Sequence, residues 1–72
     1  MRSSYRARIH RPFPYAHKEG GSMVAPVGAY EVAEVGEHLQ FAGEGREPFT
    51  VDKNLAMEHL RTGLLTIEDW ES

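Results

Sequence analysis

Residues 49–67 read FTVDKNLAMEHLRTGLLTI, and this stretch holds a strand, a helix with both of its ends, and a return strand. Ala56, Met57, Leu60 and Leu64 recur at three- and four-residue spacing, and Leu55 widens the same apolar face, which predicts a helix over 53–62. Asp52 stands at the N-cap, where its carboxylate accepts free backbone N–H groups and faces the positive end of the helix dipole. Arg61 suits the opposite end, and Gly63 falls at the position after the last helical residue, where a left-handed backbone favours glycine. Leu64 is then placed to close a Schellman-type apolar contact. Upstream, the segment from Pro48 to Val51 reads as a strand with Phe49 and Val51 inward. Downstream, Leu65 and Ile67 begin a short strand, after which Glu68, Asp69, Glu71 and Ser72 form an acidic tail around Trp70.

The preceding segments alternate with the period of strands. Gly28 to Val35 places Tyr30 and Val32 on one face and Glu31 on the other, and His38 to Ala42 directs Leu39 and Phe41 inward. Gly36 and Glu37 between them predict a tight hairpin. Near the N-terminus, Tyr5, Ala7 and Ile9 share one face and Arg6, Arg8 and His10 the other, which predicts a half-buried strand. Pro12 ends it. From Phe13 to Ser22 the sequence reads as a long flexible loop around Gly20, Gly21 and Ser22.

The expected fold is therefore α+β: a small antiparallel sheet or partly open SH3-like roll of about five strands with one C-terminal helix, in the order β-β-β-β-α-β. The expected organisation is one small domain over 1–72. Within it, residues 1–22 form a basic strand and loop that can detach as an arm from a core over 24–70. Pairing of the first strand with the last would bring opposite charges together.

Composition narrows the function classes. The chain has 72 residues, no cysteine and a net charge of −3. Cysteine-ligated zinc and thiol chemistry are thereby excluded, and a cytoplasmic location is expected. No window approaches the roughly 18 apolar residues of a membrane-spanning helix, so no membrane partner is expected. Arg2, Arg6, Arg8, Arg11 and Lys18 precede every acid, whereas all eleven acids, from Glu19 onward, are accompanied only by Arg46, Lys53 and Arg61. A core this small rarely supplies more than about 3–5 kcal/mol of net stability, which leaves room for a partner subunit.

No pattern of catalytic, cofactor or metal residues stands out, so no enzyme activity, cofactor or metal is expected. Ser3, Ser4, Ser22 and Ser72 lie at the ends or in the expected loop, away from a base. His10, His17, His38 and His59 lack the spacing of metal ligands. Gly43 and Gly45 lack the neighbours of a phosphate-binding loop.

The candidate interaction surface comprises Tyr5, Arg6, Arg8, His10, Arg11, Phe13, Tyr15 and Trp70. Residues 11–15, RPFPY, have a stiff extended backbone and two large rings that suit a partner's groove. Trp70 suits an interface anchor or a cap on the local core, and sheet edges offer a further route to a second chain. A protein partner or homo-oligomer is the first expectation. Nucleic-acid binding through Tyr5, Arg6, Arg8, Arg11 and Tyr15 is the second, because guanidinium groups pair with phosphates and rings stack on unpaired bases. The punctuation from Phe49 to Ile67 is loosely similar to that of small accessory proteins of phage and prophage particles, and it transfers no function.

Overall fold

The computed structural model describes residues 4–17 and 19–70. Arg2, Ser3, Lys18, Glu71 and Ser72, which the sequence reading placed in the basic segment, among the serines or in the acidic tail, lie outside them. The elements are β1 (Tyr5–Ile9), β2 (Phe13–Ala16), β3 (Ser22–Ala25), β4 (Gly28–Val35), β5 (His38–Ala42), β6 (Phe49–Asp52), α1 (Lys53–Thr62) and β7 (Leu65–Ile67). The chain thus forms an α+β domain with a five-stranded antiparallel sheet, ordered β6-β5-β4-β1-β7, and one C-terminal helix. A separate ribbon, β2-β3, accompanies the sheet.

Alternation fixes the two faces of the sheet. Ile9, Val32, Leu39, Phe41, Val51 and Leu65 point inward and are fully buried, joined by Ala7, Tyr30 and Ile67. Helix α1 packs against β5 and β6 on one side and β7 on the other, so the sheet curls around it. Ala56 is the helix residue enclosed completely, while Leu55, Met57 and Leu60 cover the margin of the core.

Both helix ends are held, but not symmetrically. Gly63 adopts the left-handed conformation (φ 86°), and the Leu64 N–H donates to the His59 carbonyl at 3.0 Å, the long bond of a Schellman motif. At the N-terminus Asp52 makes no capping hydrogen bond. It is still the last residue of β6, paired with His38, so its side chain follows the strand rather than the helix. The β4–β5 turn performs the task instead. The Lys53 N–H donates to the Glu37 carbonyl at 3.0 Å, and Lys53 Nζ lies 2.7 Å from the Glu34 carboxylate.

The expected loop over 13–22 is the main difference between sequence reading and structure. Phe13 and Tyr15 face the core and alternate with exposed Pro14 and Ala16 in β2, which pairs with β3 in the register Phe13↔Ala25 to Ala16↔Ser22. The His17 N–H donates to the Gly21 carbonyl at 3.0 Å, so hydrogen-bonded pairs fall on every second residue from there, at Tyr15↔Met23 and Phe13↔Ala25. Pro14 therefore occupies a position where the ladder needs no N–H, and the strand tolerates it. Strand β1 is likewise central, between β4 and β7. The pairing of first strand with last is as expected, with Ala7 opposite Ile67 and Ile9 opposite Leu65.

Rings tie the ribbon to the sheet. Tyr15 stacks on Phe49 at 4.8 Å between centroids, Phe49 stacks on Phe41 at 5.3 Å, and Tyr30 meets both phenylalanines edge-on. Gly43 makes room for this cluster, because a Cβ there would stand 2.9 Å from Tyr30 Cε2. The Tyr30 hydroxyl donates to the Pro26 carbonyl at 2.6 Å. Burial raises the Tyr30 pKa above its usual 10.0, with Arg46 opposing the shift and Tyr15 adding to it. The folded chain consequently holds this proton more tightly than the unfolded chain, and the associated stability is present below pH 10 and lost as pH rises through the folded pKa. Tyr30→Phe is expected to lower stability at neutral pH by about 0.5–1.5 kcal/mol through the lost hydrogen bond, and to flatten the alkaline decline. Urea midpoints of both proteins on either side of pH 10 check this.

Candidate interaction surface

The residues singled out by sequence divide among three places. Arg6, Arg8 and His10 lie exposed along the outer face of β1, and Arg11 is exposed just beyond it. Tyr5 instead belongs to the inner face at the sheet margin, where Trp70 meets it edge-on with centroids 5.3 Å apart. Asp69, with φ 60°, turns the chain so that Trp70 returns to this position. Trp70 is half-buried there, and its Nε1 has no hydrogen-bond partner among the described residues. Phe13 and Tyr15 are buried, Phe13 against His59 at 4.3 Å and Tyr15 against Phe49. These two rings are therefore not part of an exposed surface. They are structural because their strand alternation directs them into the core.

The basic row lines a groove of about 680 Å³ on the outer sheet face. Ala29 and Ala42 form its low floor, and Glu31, Glu44 and Glu68 stand among the basic groups. Arg6 pairs across the ladder with Glu31, while Arg8 lies between Ala29 and Thr66. His10 Nε2 is 3.0 Å from Thr66 Oγ1, and the Ser4 hydroxyl donates to Glu31 Oε2 at 3.0 Å. Both pairs are solvent-exposed. An imidazole beside a hydroxyl resembles a base beside a nucleophile, but no third group among the described residues orients the His10 ring. Among the described residues, no three histidine, aspartate or glutamate side chains gather to hold a metal, and no helix is long and apolar enough to cross a membrane.

A surface that the sequence reading did not single out lies on the ribbon. Met23 is 48% exposed, Val24 63% and Val27 49%, so three of the four large exposed apolar side chains among the described residues lie on and just after β3. Among the described residues, strand β3 has β2 as its only strand partner. Since Tyr15↔Met23 and Phe13↔Ala25 are the hydrogen-bonded pairs, the N–H and C=O groups of Ser22 and Val24 point to the free edge. The signal was present in sequence: residues 20–30, GGSMVAPVGAY, carry no charge in a chain that is 26% charged.

No protein-family model matches this chain, and no curated protein or solved structure matches it.

Proposed function

We propose that this domain is a non-enzymatic protein-interaction module, a small accessory subunit that docks through the free edge of β3. The observation that carries the reading is a strand with open backbone donors and acceptors, exposed apolar side chains and no charge. Edge strands are commonly protected by charge, bulges or cover, and an edge left open is suited to strand addition, with main-chain hydrogen bonds supplying affinity and alternate side chains supplying selectivity. The curled sheet, read as a partly open SH3-like roll, serves as the rigid base on which Phe13 and Tyr15 seat the ribbon. A cysteine-free chain suits the cytoplasm, where we place it.

Nucleic-acid binding through the outer face ranks second. Arg6, Arg8 and Arg11 support it, but Glu31, Glu44 and Glu68 in the same groove repel phosphate, and burial of Tyr15 removes one of its proposed stacking rings.

A photo-crosslinking residue in place of Val24, in the full chain in cells, tests the first reading. It is expected to give a discrete protein adduct that the same group in place of Glu58, on the exposed face of α1, does not give. No adduct from position 24 would remove the reading.

A further inference from the structure

We infer that the partner of β3 is β3 of a second copy of this chain, paired antiparallel about a two-fold axis at Met23. This rests on the reading of β3 as the docking edge and specifies its occupant.

The backbone limits the register. The outward N–H and C=O groups belong to Ser22 and Val24, and an antiparallel neighbour must offer its own outward groups opposite them. An axis at Met23 sets Ser22 against Val24 of the other copy on both sides, so every outward donor and acceptor of the two residues is used. An axis at Val24 would set Pro26 against Ser22 and lose a donor, since proline has no N–H. The Met23 register also places the two Met23 side chains in the closer, non-hydrogen-bonded pair, where flexible thioethers fill an irregular contact well. Four strands then form one continuous ribbon, β2-β3-β3-β2, built on two docked hairpins.

Charge selects a copy of the same strand. Two molecules with a net charge of −3 each repel on balance. The uncharged run over 20–30 lets two copies meet without like charges facing one another, and any charge on a different partner strand would find no counterion along it. The other sheet margins suit this less. Strand β7 has three residues and leads into Glu68 and Asp69, while β6 lies against β2 and receives Tyr15 on Phe49.

The chain's lack of cysteine makes the test direct. Met23→Cys is expected to form a disulfide dimer rapidly under mild oxidation, because Cα atoms of a non-hydrogen-bonded antiparallel pair are about 4.5 Å apart, within disulfide range. Val35→Cys, at another exposed apolar site remote from β3 in the fold, is the control and is expected to remain reduced far longer. Met23→Lys places two ammonium groups directly opposite and is expected to raise the dimer dissociation constant at least about tenfold in sedimentation, with an unchanged monomer melt. The unmodified protein gives an independent measure: amide exchange at Ser22 and Val24 is expected to slow as concentration rises. Equal cross-linking from both cysteine positions, a dimer indifferent to Met23→Lys, or concentration-independent exchange at these amides would overturn the inference. In that event a crosslink from position 24 at a mass other than the dimer's leaves the module reading standing, and no crosslink removes both.

Discussion

A chain lacking residues 1–22 is expected to show no cooperative thermal transition and poorly dispersed amide resonances. Those residues carry β1, which lies between β4 and β7 and pairs with both. Without it β7, a strand of three residues, has no neighbour in the sheet, and the α1–β7 return has nothing to anchor it. The deletion also removes Ala7, Ile9, Phe13 and Tyr15 from the buried core. Complete loss of one aliphatic side chain such as Ile9 costs about 2–5 kcal/mol, against a net stability of about 3–5 kcal/mol for a core of this size. A cooperative melt in the shortened chain would show that the N-terminal segment is a detachable arm, as its composition suggests, and that the central strand is dispensable.

Phe13→Ala is expected to leave the full chain largely unfolded without denaturant. The ring is buried, with the His59 ring of α1 4.3 Å away between centroids. Truncating a buried phenylalanine costs about 3–5 kcal/mol, comparable to the whole net stability expected here. Pro14→Ala changes an exposed neighbour in the same strand and is expected to stay within about 0.5 kcal/mol. Denaturant titrations of the two variants separate a core role from a surface role at adjacent positions. The result also bears on function, because Phe13 and Tyr15 hold the ribbon that presents β3. A small effect of Phe13→Ala would mean that the ribbon is loosely seated and that Met23 and Val24 have no fixed presentation.

Several assignments in the candidate surface turned on the same ambiguity. Phe13 and Tyr15 alternate with Pro14 and Ala16, but over four residues and without the basic side chains that mark the outer face in the alternation of Tyr5, Ala7 and Ile9 with Arg6, Arg8 and His10. The prolines made the first pattern read as a loop, because a proline inside a ladder removes a donor unless the pairing parity spares it. That parity is set by the turn that joins His17 to Gly21, so it depends on which strand returns alongside. Asp52 shows a related limit. Its residue type and position suit a cap, yet its pairing with His38 keeps it in β6, and a carbonyl of the β4–β5 turn takes the helix donor.

Sequence alone determined what is local: which residues of β1, β4, β5, β6 and β7 face inward, where α1 begins and ends, the left-handed turn at Gly63, and the neutrality of residues 20–30. Side-chain periodicity and backbone sterics act over a few residues and need no distant partner to be read. Tertiary structure decided the central place of β1, the burial of Phe13 and Tyr15, the meeting of Tyr5 with Trp70 and the free edge of β3. Each of these depends on which strand lies beside which. That choice is made by burying the inner faces of all the strands together, so the neutral run over 20–30 became a docking surface only once its neighbour on one side was known.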